Sequence, residues 1–231
     1  MTPSEIQPSI LFEDAHVLVL SKPAGLLSQG TGKDEPNVVD WLRRYLDRHY
    51  VGLIHRLDRN VSGLMVVAKR SKAARRLVQA LQEGRIFRIY NAWLIGRLGS
   101  QKRWSHRLLK DSKTNKVCVV SAKNRAGKEA VLSVRPLGYG MLEDLELTLA
   151  EFQLETGRSH QIRVQSAHEG FPLLGDPKYS KSRQLFKTPR ISRPALHAAS
   201  LTFPHPISGE EMHFKDKLPH DMQKIELLRT V

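Results

Sequence analysis

His55-Arg56-Leu57-Asp58-Arg59-Asn60-Val61-Ser62-Gly63 is a polar turn set between two short apolar runs, Val51 to Ile54 and Leu64 to Ala68. Runs of this length, aliphatic and bounded by polar residues, read as strands. The turn therefore projects from a rigid β frame, the setting in which loops carry chemistry. It concentrates one carboxylate, Asp58, between two guanidinium groups, Arg56 and Arg59. Positive charge on both sides favours the ionised carboxylate, which can attack a carbon centre or steady a developing cation. Read by itself, such a turn is more often a structural ion pair.

Working outward, Ile10 to Phe12 and Val17 to Leu20 form a hairpin, followed by a loop bearing proline and glycine from Pro23 to Pro36. Asn37 caps a helix running to about His49, with Val38, Trp41, Leu42 and Tyr45 on its apolar face and Arg43, Arg44 and Arg48 off it. Ser71 caps a second helix that ends before Gly84, with Ala74, Leu77, Val78 and Leu81 as the buried stripe. From Ile86 to about Glu155 the chain is strand-like, with turns at Gly96–Gly99, Ser112–Asn115, Asn124–Gly127 and Gly138–Gly140. A helix at about Arg158 to His168, a strand around Glu211 to Phe214 and a C-terminal helix from Pro219 follow. Strands in runs, with no regular βαβ period, predict an α+β fold with a mixed, mainly antiparallel central sheet and flanking helices and loops.

The 231 residues suffice for one sizeable core, so a single domain over 1–231 is expected, with 1–9 as a flexible N-terminal segment. Apolar residues make up 40% and charged residues 26%, and no apolar run approaches a bilayer span, so a membrane protein is not expected. A lone cysteine, Cys118, and the absence of a signal-like start predict a cytoplasmic, reducing location. The formal net charge of +14 points to a polyphosphate partner. Its cations thicken in Arg43 to Arg88, Arg97 to Lys128 and Lys178 to Arg193. Arg43, Arg44, Arg75 and Arg76 are candidate phosphate contacts. Trp41, Trp93 and Trp104 could stack on bases, although Trp41 and Trp93 stand in apolar patterns that suit a core. His55, His160 and His197 are scattered without an i,i+4 partner, so no metal site is expected.

A second cluster, Thr156-Gly157-Arg158-Ser159-His160-Gln161-Ile162-Arg163, places donors at a helix start. Arg158 and Arg163 there can hold phosphate or pair with the carboxylate, although read alone such a cluster is more often a plain cap with a solvated basic face. Gly175-Asp176-Pro177-Lys178-Tyr179 reads as simple chain reversal.

Taken in order, these blocks resemble the RluA family of pseudouridine synthases over nearly the whole chain. Lys22 to Ser28 is similar to the family's KPxGLLS loop, and His55 to Gly63 to its HRLDxxTSG signature. Arg88-Ile89-Tyr90-Asn91-Ala92 is similar to KxYxA, and Leu154 to Val164 to LxTGRxHQIRV. Gly170 to Pro172, Gly175 to Tyr179, Leu196 to Ala198 and Phe203 to Gly209 match the remaining blocks. The departures are Val61 for threonine, Arg88 for lysine, and Gln165 where many members carry histidine. With no room ahead of Ile10 for an S4-like RNA-binding domain, the chain resembles the short, catalytic-domain form.

The resemblance implies Asp58 as catalytic aspartate, Arg163 as the arginine that pairs with it, and Tyr90 as the aromatic that stacks on uracil and serves proton transfer. Arg56, Arg59, Arg158 and His160 join the four helix arginines as expected RNA contacts. The implied reaction is isomerisation of uridine in transfer or ribosomal RNA after base flipping, by a monomer without metal or cofactor. The competing reading is a non-catalytic RNA-binding protein that retains the fold. A metal-dependent nuclease ranks behind both, since the tight acidic cluster that magnesium needs is absent.

Overall fold

The structure, a computed structural model, describes residues 6–32, 35–180 and 191–230. It divides into two compact units, Met1–Arg88 with Ala198–Lys217, and Ile89–His197 with Leu218–Val231. The fold is α+β with a mixed, mainly antiparallel sheet, as the run of strand-like segments predicts. No helix of the described residues is long and apolar enough to cross a membrane.

In the first unit the hairpin β1 (Ser9–Glu13) and β2 (Val17–Lys22) is present. Strand β2 pairs antiparallel with β4 (Ser62–Ala68), and β3 (Gly52–Leu53) pairs with the far end of β4. Every residue of β4 is buried. This fits its unbroken apolar run, because a strand covered on both faces needs no polar alternation. Helices α1 (Val38–Leu46) and α2 (Ser71–Gln82) complete the unit with the Ala198–Pro204 part of β10 (Leu196–Pro204) and with β11 (Glu211–Lys215). Asn37 caps α1 as expected, accepting from the Asp40 N–H, but the helix stops three residues early at left-handed Asp47. In α2 the cap is Arg70 rather than Ser71, and the buried residues are Ala73, Leu77 and Ala80, with Val78 exposed. Small alanines make contact with the core as well as the larger aliphatics do, which turns the stripe away from Val78. Their partners are Val17, Val19, Leu64, Val66, Leu201 and Phe203.

The second unit is a sheet of long antiparallel strands in which β5 (Phe87–Ile95) pairs with β9 (Leu145–Leu154), β9 with β8 (Lys128–Leu142), β8 with β6 (Lys102–Asp111), and β6 with β7 (Lys116–Val120). The expected turn at Gly138–Gly140 is instead the interior of β8, which continues through an irregularity between Pro136 and Gly138. The expected C-terminal helix is a single turn, α4 (His220–Gln223), followed by β12 (Leu227–Thr230), which pairs with that same glycine-bearing stretch. Helix α3 (Gln161–His168) starts later than expected, at His160 in the left-handed region. Its Val164 packs on Leu108, Val117 and Ala130. Trp93 and Trp104 are core residues, 1% and 3% exposed, which leaves neither open to a base. Of the expected flexible segment 1–9, residues 1–5 lie outside the described residues, and Ser9 already belongs to β1. The cation-rich stretch Lys178 to Arg193 lies largely outside them too, at 181–190.

Candidate active site

The register of β2 against β4 sets Lys22 opposite Gly63. The loop leaving β2 therefore lies beside the turn that enters β4, and the two are laced together. The Ser28 hydroxyl donates to the Leu57 carbonyl at 2.7 Å and accepts the Leu57 N–H at 3.0 Å, so one side chain satisfies both backbone groups of that residue. On the other side of Asp58, the Arg59 carbonyl accepts from the Gly25 N–H at 2.8 Å and from Lys22 Nζ at 3.1 Å. Lys22 is fully buried and donates also to the carbonyls of Pro23 and Leu26. A buried ammonium is tolerable only when its protons are spent on acceptors in this way. Half-buried Asp58 thus stands between two residues whose backbones are bound to the 22–28 loop. Buried Val61, which lacks the hydroxyl of the signature threonine, closes the turn through its own N–H to the Asp58 carbonyl at 3.1 Å.

Gly63 has φ +115°, and a Cβ there would overlap the Ala198 carbonyl and amide. Only glycine lets the two backbones meet so closely just after the turn. Its neighbour His55 is buried, and burial first, then the Arg88 cation, lowers its pKa to about 3. The neutral ring accepts the Val66 N–H on Nε2 at 3.3 Å, tying the start of the turn to β4. No group of three or more His, Cys, Asp or Glu among the described residues could hold a metal ion.

The flanking arginines behave differently from one another. Arg59 gives Nε to the Gly25 carbonyl at 3.1 Å and Nη1 to Glu35 at 2.7 Å, a partner that the spacing of the turn did not indicate. Arg56 is exposed and makes no hydrogen bond or ion pair among the described residues. Arg43 pairs with Asp40 at 3.1 Å, and Arg76 donates to the Pro206 carbonyl at 2.6 Å, while Arg44 and Arg75 are exposed.

In the second unit Tyr90 is 5% exposed in β5, paired in register with Phe152. Arg163 is buried in α3 and grips Asp176 bidentately, Nε to Oδ2 at 2.7 Å and Nη2 to Oδ1 at 2.9 Å. Its guanidinium carbon lies 5.2 Å from the Tyr179 ring centroid. The Tyr179 hydroxyl meets His160 Nδ1 at 2.5 Å and accepts the Val117 N–H at 3.0 Å. The 175–179 turn, which reads as plain chain reversal, is thus the seat of Arg163. Gly175 has φ +72°, and a Cβ there would strike the Arg193 carbonyl, so the turn is shaped for this packing. The signal available in sequence was an aspartate in an otherwise basic stretch. Arg158 is exposed and donates to the Glu129 carbonyl at 2.8 Å. Gln165, at the position where histidine is common, is fully buried and donates to the Ala130 carbonyl and to His106.

A family model described as RNA pseudouridylate synthase matches residues 16–168. The ribosomal large subunit pseudouridine synthase D of Escherichia coli O6:H1 is 36% identical over 250 residues, covering 99% of this chain and 72% of that protein. Its counterpart from Zymomonas mobilis is 35% identical over 235 residues, covering 96% and 72%. Among solved structures, human RNA pseudouridylate synthase domain containing 1 superposes with a TM-score of 0.82 at 22% identity, over 100% of this chain and 93% of that one. Human RNA pseudouridylate synthase domain containing 4 gives 0.74 at 24% identity, over 95% and 94%. These two structures share the fold.

Proposed function

Because the chain belongs to the RluA family of RNA pseudouridylate synthases, isomerases acting on RNA, we propose that it converts specific uridines of ribosomal or transfer RNA to pseudouridine with Asp58 as nucleophile. The large ribosomal subunit named in its relatives makes ribosomal RNA the first substrate to try. The observation that carries this reading is the seating of Asp58, whose two neighbours are both bound at the backbone to the 22–28 loop. A carboxylate fixed on both sides is preorganised for attack at one carbon.

The reaction breaks the N1–C1′ bond of uridine and forms a C5–C1′ bond, with a proton leaving C5 and one gained at N1. Atoms and electrons balance without a redox partner. Asp58 serves the electron-poor C1′ while the base is detached, by adding to it or by assisting a glycal-like intermediate. Tyr90 stacks on the uracil and serves the proton transfer. Arg163 orients the Asp58 carboxylate, and its grip on Asp176 keeps its own rotamer fixed for that task. The target base leaves its stack first, at a cost of a few kcal/mol that contacts to the RNA backbone offset. Arg56, Arg59, Arg158, His160, Arg43, Arg44, Arg75 and Arg76 supply those contacts, with Arg56, exposed beside Asp58, the foremost. We take 1–231 to act as one catalytic domain, as a monomer in the cytoplasm.

The test is incubation of the purified chain, without added metal or cofactor, with uridine-labelled transcripts of large-subunit ribosomal RNA and bulk transfer RNA, followed by digestion and nucleoside chromatography. Pseudouridine from wild type and none from Asp58→Asn is the expected result. Tight binding with no pseudouridine on any transcript would make the chain an RNA-binding protein instead.

A further inference from the structure

Within the first unit, away from the catalytic turn, lies a cavity of about 880 Å3. Arg48, His49 and Tyr50, just after α1, form one side, and Arg70, Ser71 and Lys72, where α2 begins, form another. No acidic residue lines it. Lys72 is exposed and makes no hydrogen bond or ion pair among the described residues. Arg48 is also exposed, and Arg70 is braced by the Ala15 carbonyl at 3.2 Å. Tyr50 shows 44% of its surface to solvent. The first turn of α2 carries no acid and no side-chain cap, which adds to the positive potential there.

Cations spread around an exposed phenol ring suit a ligand that is anionic along its length and carries flat bases, since phosphates take the charges and a base takes the ring. The cavity lies where the chain leaves α1 and where it enters α2, the two helices that carry exposed Arg44 and Arg75. Its place is fixed by β4. Ser62 follows the catalytic turn at one end of that strand, and Lys69, in the cavity wall, follows the other end. At ~3.3 Å per residue the two ends are roughly 20 Å apart.

We infer that this cavity grips the RNA substrate outside the reacting uridine, binding backbone phosphate through Arg48, Arg70 and Lys72 and a base on Tyr50. The inference rests on the RNA reading above. It gives the enzyme a second handhold, so that a target is chosen by RNA several nucleotides away as well as by the uridine itself.

The test uses the full chain and a fluorescein-labelled 20-nucleotide oligouridine, titrated by anisotropy at several salt concentrations. Wild type is compared with R48A/K72A and with K123A/R125A, which removes the same charge from an exposed turn of the other unit. R48A/K72A should weaken binding about tenfold and flatten the salt slope by about 1.4, from ~0.7 per single-strand phosphate. Its thermal midpoint should stay at the wild-type value, and K123A/R125A should bind within about twofold of wild type. Equal losses in the two double variants, or none in R48A/K72A, would overturn the inference. Displacement of the oligouridine by low-millimolar inorganic phosphate would also overturn it, marking a small-anion site. Pseudouridine formation on bulk transcripts is scored separately. If wild type forms it and R48A/K72A binds normally, the cavity inference alone fails. If wild type forms none but binding still depends on the cavity, the catalytic reading fails and the cavity inference stands.

Discussion

Around Asp58 the anchoring falls on the backbone of its neighbours, with the Ser28 hydroxyl, the Gly25 N–H and the Lys22 ammonium holding the peptide groups of Leu57 and Arg59. Around Arg163 it includes a buried ion pair with Asp176 at 2.7 Å, beside an aromatic ring. The first arrangement shares its load among several hydrogen bonds worth about 1 kcal/mol each, so losing one loosens the turn without releasing it. The second rests on a bidentate ion pair, and losing Asp176 takes the matching charge out of a dry interior. A nucleophile needs a fixed position, which anchoring of the peptide groups on either side of it provides. An orienting cation needs a fixed rotamer, which a bidentate carboxylate provides.

The largest expected effect lies at the nucleophile. Asp58→Asn should lower turnover on the order of 10⁴-fold or more while RNA affinity and unfolding midpoint hold, read by nucleoside chromatography and anisotropy. Appreciable isomerisation by this variant would remove Asp58 from the chemistry. Next, Arg163→Ala and Asp176→Ala should each cost about 3–5 kcal/mol in urea unfolding, whereas R163M/D176L should recover most of that stability. Recovery of stability without recovery of turnover would separate the orienting role from the structural one. Strict additivity of the two single losses would show that the pair is not what holds α3.

The third effect comes from His55. Its folded pKa of about 3 lies below its ordinary 6.5, so between those values the unfolded chain binds a proton that the folded chain refuses. The stability tied to this neutral, buried ring is therefore complete above pH 6.5 and is lost as the pH falls toward 3. Its slope is at most about 1.4 kcal/mol per pH unit. His55→Gln should flatten the acid limb of the stability profile relative to wild type, and an unchanged limb would show that other groups set it. The smallest effect belongs to Ser28→Ala, about 1–2 kcal/mol for two unmet backbone groups at Leu57. Turnover should fall with it more than RNA affinity does. A proportional fall in affinity would mean that the 22–28 loop serves binding rather than the seat of Asp58.

The frame was legible in the sequence because β4 and the β1–β2 hairpin follow from local apolar runs, and Asn37 is a cap with a local mechanism. The errors have non-local causes. The Gly138–Gly140 stretch reads as a turn until β12, distant in sequence, pairs with it. Both misreadings of that region are therefore a single missed contact. On α2 the expected stripe Ala74, Leu77, Val78 and Leu81 shares Leu77 with the buried face, which Ala73 and Ala80 complete against Phe203 and Leu201. In the site, family order marked Asp58, Tyr90 and Arg163, but no local pattern assigned Asp176 to Arg163 or Glu35 to Arg59. Ion pairs between separate loops leave no periodicity to read.

Lys22 carries a practical consequence. An amine with no exposed surface, its protons held by the carbonyls of Pro23, Leu26 and Arg59, is closed to acylating reagents while the loop is in place. Its labelling rate, followed by mass spectrometry against the solvent-facing lysines of the same chain, would time how often the seat of the nucleophile opens in the intact protein.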